Sequence, residues 1–151
     1  MLGSITGKKF MPDTLGLARA KEIEEGKKAG ATPADLVTVP ELQRIIGVRL
    51  DTMPSGLVNR MDEVEFKRAI ESEIEWNTGL LPNTDFFITD MRIISVGIIG
   101  TEWCQKRVSG RVALRPRRDE DVVKISFGHA YYMYGHVIAK AWFNNFRINY
   151  A

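Results

Sequence analysis

Cysteine is nearly absent from the chain: Cys104 stands alone among 151 residues, which excludes an internal disulfide framework and any zinc site built from several thiolates. Histidine is almost as scarce, with only His129 and His136. Long apolar runs are missing too. The most apolar window, residues 86–99, is interrupted by Asp90 and Arg92 and is too short to cross a bilayer as a helix. Lys8 and Lys9 near the N-terminus are not followed by the apolar stretch of a signal peptide. No glycine-rich turn joins a strand to a helix, since Gly97, Gly100 and Gly110 are isolated, so no phosphate-cradling loop of that kind is written here. An excess of one charge is also lacking. A net charge of +2 does not make the whole molecule an obligate partner of nucleic acid or of an anionic membrane, and any such partner has to be argued from a local cluster. Together these absences favour a cytoplasmic or virion setting over secretion, and no membrane.

What is present belongs to a folded domain. Hydrophobic residues make up 44% and charged residues 26% of the chain, far from the composition that keeps chains disordered. Residues 1–31 have only a weak apolar face, from Leu15, Ala18 and Ile23. They are expected to form an arm or surface helix with little core of its own, and residues 32–151 a single α+β domain. Gly30 is placed to end that helix, and Thr32-Pro33 to start the next. Leu42, Ile45 and Ile46 mark a helix from Val39-Pro40 that Gly47 can close, with residues 50–57 as a connection.

The clearest helix begins at Asp62. The Asp62 carboxylate can cap it while Glu65 reaches back, and Met61 and Phe66 are spaced to staple the entry. Phe66, Ala69, Ile70 and Ile74 then recur at helical spacing. Residues 77–79 and Pro82-Asn83 end it.

After Pro82, β-formers dominate. Apolar residues on both faces of residues 86–99 predict a central or doubly covered strand, with Gly97 marking a bulge or bend. From Lys106 to Arg115 the alternation is clean: Val108, Val112 and Leu114 point one way, and Arg107, Ser109, Arg111 and Arg115 the other. A charged turn over residues 116–120 precedes a second alternating run through Val123, Ile125 and Phe127. Residues 130–150 fit strands better than a helix because of their aromatic density and the turn points at Gly135-His136 and Asn144-Asn145. The fold class expected is α+β, a helical N-terminal half packed on a predominantly antiparallel sheet from the C-terminal half.

None of the polar groups forms a reaction centre at this level. His129 and His136 lie at an offset that sends them to opposite faces of a strand, and a metal would need a further ligand from elsewhere. Cys104 has Lys106 and Arg107 nearby, which can favour a thiolate, but no base or orienting group is tied to it. Glu71 and Glu75 share a helix face and read as solvated surface. Tyr131, Tyr132, Tyr134, Trp142, Phe143, Phe146 and Tyr150 suit a core or an interface more than a base-stacking platform. Accordingly no catalytic, cofactor-binding or metal-binding residues are assigned, and no enzyme activity is expected.

The informative cluster is basic. Arg107, Arg111, Arg115, Arg117 and Arg118 fall within one strand and its turn, and form the candidate contact surface. They can meet carboxylates or a phosphate backbone. The acidic residues 119–121 follow at once, however, so partners within the chain are available. The expectation is a structural or assembly subunit of a larger homo- or hetero-oligomer, of the kind from which virus or phage particles are built. Its partners would be other protein subunits, copies of itself included. A nucleic-acid-binding module using the basic strand face is the alternative.

Overall fold

In a computed structural model, residues 11–53, 55–97, 103–132, 137–143 and 148–150 are described. Five helices come first: α1 (Met11–Lys28), α2 (Pro33–Leu36), α3 (Val39–Thr52), α4 (Ser55–Arg60) and α5 (Glu63–Thr78). Strands β1 (Phe86–Gly97), β2 (Trp103–Leu114), β3 (Val123–Tyr132), β4 (Val137–Phe143) and β5 (Ile148–Tyr150) follow. They form an antiparallel meander in the order β1-β2-β3-β4-β5. The protein is therefore α+β, with helices from the N-terminal half on a sheet from the C-terminal half.

Local chemistry explains α5. The Asp62 carboxylate accepts from the Glu65 amide at 2.8 Å, and the Asp62 amide donates to the Glu65 carboxylate at 2.9 Å. Two amides that a helix start leaves without partners are thereby satisfied. Met61 and Phe66, on either side of this cap, are both buried. At the other end Gly79 takes φ +74° and donates its amide to the Glu75 carbonyl at 2.7 Å, the left-handed closure that glycine allows. Phe66, Ile70 and Ile74 form its buried face, and the Phe66 ring meets Phe127 of β3 at 6.3 Å and 50°. That contact joins the helical layer to the sheet.

Gly47 does not end α3, which runs on to Thr52, and the end of α3 and the start of α4 together occupy most of the expected connection. A glycine inside a helix costs about 1 kcal/mol, and burial of Ile46 and Leu50 on either side of it outweighs that. Ile23 of α1 and Leu42, Ile45, Ile46 and Leu50 of α3 belong to the same buried cluster as Phe86, Val112 and Phe127. The thin apolar face of α1 is supplemented by charge. Arg19 forks onto the Glu41 carboxylate with two contacts of 2.8 Å and also donates to the Leu36 carbonyl, while Lys27 reaches both oxygens of Asp85 at 2.9 and 3.0 Å.

Among the described residues β1 stands at the edge of the sheet and not at its centre. Its apolar residues read as two-sided because the strand changes phase. Thr89 pairs with Arg111 and Arg92 with Ser109, so Asp90 and Met91 together oppose Gly110. This bulge, with Asp90 at φ +57°, moves the core-facing set from Phe86 and Ile88 to Met91 and Ile93. Gly110 makes room for it, since a Cβ there would lie 2.7 Å from the Met91 sulfur. The edge is partly protected where the Ile93 amide donates to the Glu63 carboxylate at 3.0 Å. The C-terminal residues 137–143 and 148–150 are strands, while the turn points at residues 135–136 and 144–145 lie outside the described residues.

Candidate contact surface

The two faces of the sheet differ in what they carry. One holds Val108, Val112, Val123, Ile125 and Phe127 against the helices. The other is exposed at Phe87, Thr89, Arg92, Ile94, Arg107, Ser109, Arg111 and Lys124. Register fixes its layout. Thr89, Arg111 and Lys124 form one row across β1, β2 and β3, followed by a row of Arg92, Ser109 and Ser126, and then one of Ile94, Arg107 and Gly128. Between the first two rows a depression of about 430 Å³ is lined by Asp90, Arg92, Ser109, Arg111 and Lys124, among others.

The five arginines singled out in the sequence do not stay together. Arg107 and Arg111 lie on the open face, and Arg111 meets Asp90 at 3.5 Å. Arg115 lies beyond the end of β2 and points to the buried Asp85 carboxylate at 3.8 Å. Arg117 reaches Asp119 at 3.6 Å. Arg118 binds Asp35 at 2.9 Å and approaches Asp121 at 3.8 Å, tying the β2–β3 connection to α2. Arg118 and both the hydroxyl and the amide of Thr32 hold the Asp35 carboxyl at about 2. Arg118 is itself raised by that bond.

Two members of the face, Arg92 and Lys124, are invisible to strand alternation alone. Counted from Phe86 and Ile88, Arg92 falls on the core side, and only the bulge turns it outward. Lys124 becomes part of the cluster because register sets it directly opposite Arg111. The signal available in the sequence was Asp90, a residue type that tolerates the left-handed conformation a bulge requires.

Lys106, the first basic residue of this stretch, is buried on the other face of β2. Its ammonium donates to the carbonyls of Val58 and Met61 at 2.9 and 2.8 Å, fastening the end of α4 to the sheet. Burial lowers its pKa, and the nearby Glu65 and Asp62 carboxylates pull it partly back. The side chains of Cys104 and His129, and the whole of His136, lie outside the described residues. Cys104 itself falls in β2. Among the described residues no three His, Cys, Asp or Glu side chains gather as a metal site, and no helix is long and apolar enough to cross a membrane.

The class that fold and surface define is an α+β protein with an antiparallel meander, covered by its own helices on one face and bearing cations and apolar side chains on the other. The chain matches no model of a protein family, no curated protein and no solved structure in comparisons with each.

Proposed function

We propose that the protein is a non-enzymatic structural subunit that acts within a larger homo- or hetero-oligomer, with the open face of the sheet as its contact surface. A virus or phage particle is a setting that such a subunit suits. One observation carries this reading: the exposed apolar side chains Phe87 and Ile94 lie among Arg92, Arg107, Arg111 and Lys124 on a face that no described element covers. Protein interfaces mix apolar area and arginine in this way. A nucleic-acid surface draws on a broader basic excess, whereas here Arg115, Arg117 and Arg118 already have carboxylate partners.

Sedimentation of the purified chain over a wide concentration range tests the reading. Mass that rises with concentration, and falls back when Ile94→Asp and Arg111→Gln are introduced into a chain that still folds, is the expected result. A wild-type monomer at every concentration, alone and with the other proteins of its source, would sink it. The depression between Arg92, Arg111 and Lys124 favours a second reading, in which the face holds the phosphates of a nucleic acid. That reading requires retention on an immobilised polyanion that collapses with salt.

A further inference from the structure

The open sheet face has a complement on the same molecule. α5 packs on the sheet through Phe66, Ile70 and Ile74, and the side it turns away from the core exposes Val64, Glu65, Arg68, Ser72, Glu75 and Trp76, with Glu71 half-buried beside them. Val64 and Trp76 are 60% and 55% exposed, comparable to Ile94 at 58% on the sheet. We propose that the sheet face of one copy receives the α5 face of a second copy, with Glu71 and Glu75 entering the depression between Arg92, Arg111 and Lys124. The inference rests on the assembly reading and names its partner.

Three features of the molecule carry it. First, Arg111 and Lys124 stand directly opposite each other on neighbouring strands, a like-charge pair that destabilises a sheet unless an anion lies between. Asp90 supplies one carboxylate to Arg111 at 3.5 Å. Among the described residues no acid pairs with Arg92 or Lys124. Second, the dimensions agree. Glu71 and Glu75 are one helical turn apart, about 6 Å along the axis, and neighbouring strands lie about 4.8 Å apart, so two carboxylates on a helix laid over the face can reach cations on adjacent strands. Third, the sheet face carries small residues along its middle, Ser109, Ser126 and Gly128, which leaves a floor on which a helix can lie. The result is a sheet with helices on both faces, one set its own and one borrowed, a layering that buries a sheet completely. Because the two faces differ, the contact is head-to-tail, and it closes into a ring or continues as a filament instead of stopping at a two-fold dimer.

Charge exchange tests this pairing in the full chain. Arg111→Glu with Lys124→Glu, and separately Glu71→Lys with Glu75→Lys, are each expected to raise the concentration of half-association by roughly tenfold or more. The chain carrying all four substitutions should recover assembly, because the reversed faces are again complementary. Unchanged thermal melts, and the milder Arg111→Gln with Lys124→Gln pair, separate loss of contact from loss of fold. If the α5 variant assembles like wild type, or the four-fold variant remains dissociated while wild type assembles, the pairing is wrong though the subunit reading survives. If wild type stays monomeric by itself, the pairing fails; if it also stays monomeric with the other proteins of its source, the subunit reading fails with it. Binding of a duplex oligonucleotide that Arg111→Glu with Lys124→Glu abolishes, with mass unaltered throughout, overturns the pairing in favour of a phosphate partner.

Discussion

At Asp85 three partners converge on one buried carboxylate. The side chain is buried, with one oxygen accepting from the Leu81 amide at 2.9 Å, Lys27 bridging both oxygens and Arg115 at 3.8 Å. Burial alone would push its pKa up. The Leu81 amide, Lys27 and Arg115 outweigh burial and leave it below the ordinary value of 3.8. A carboxyl whose folded pKa is depressed contributes stability that is complete above its unfolded pKa and is lost as pH falls through the folded one. The urea midpoint is therefore expected to decline below about pH 4, and Asp85→Asn should flatten that decline. The same substitution at neutral pH is expected to cost about 3 kcal/mol, the lower end for a broken buried pair, because Lys27 still reaches solvent. Lys106→Met tests the other buried charge. It removes the ammonium that the Met61 carbonyl accepts from and leaves the Val58 carbonyl with the Met61 amide at 3.4 Å, for an expected loss of about 1–3 kcal/mol in denaturant unfolding.

Between residue and fold, the elements depend on a few backbone positions. Gly79 closes α5 at φ +74°, and a Cβ there would also stand 3.2 Å from the Ala20 side chain of α1. Gly79→Ala is therefore expected to cost about 1–2 kcal/mol from the left-handed conformation alone, and somewhat more from the contact, read as a lower thermal midpoint. The bulge sets the layout of the exposed sheet face. By inserting one residue opposite Gly110 it turns Arg92 outward, and it explains why β1 carries apolar residues in two phases while standing, among the described residues, at the edge of the sheet.

At the scale of the molecule, helices pack on one face of the sheet at β1 and β3, and among the described residues α5 carries a net negative charge and the exposed sheet face a net positive one. An association driven by such faces is expected to weaken as salt rises, because the screening length falls from about 10 Å at 0.1 M to about 3 Å at 1 M. Phe87, Ile94, Val64 and Trp76 should leave a salt-resistant remainder. Light scattering against sodium chloride measures both parts. No dependence on salt would remove Arg92, Arg111 and Lys124 from the contact.

Much of the fold was legible in the chain because its signals are short-range. The Asp62–Glu65 cap operates over three residues, Gly79 stops a helix by its own dihedral freedom, and the alternation of Val108, Val112 and Leu114 needs only the period of a strand. The candidate surface was legible in part for the same reason: Arg107 and Arg111 share a face by spacing alone. What tertiary structure decided are encounters between segments far apart. Lys27 meets Asp85 across 58 residues and Arg19 meets Glu41 across 22, which is how a helix with a thin apolar face becomes part of the core. Strand register alone sets Lys124 beside Arg111, and the bulge alone adds Arg92. Composition and period determine burial where an element stays in phase, as from Val108 to Leu114. Which exposed residues become neighbours depends on pairing, since a shift of one residue sends a side chain to the opposite face.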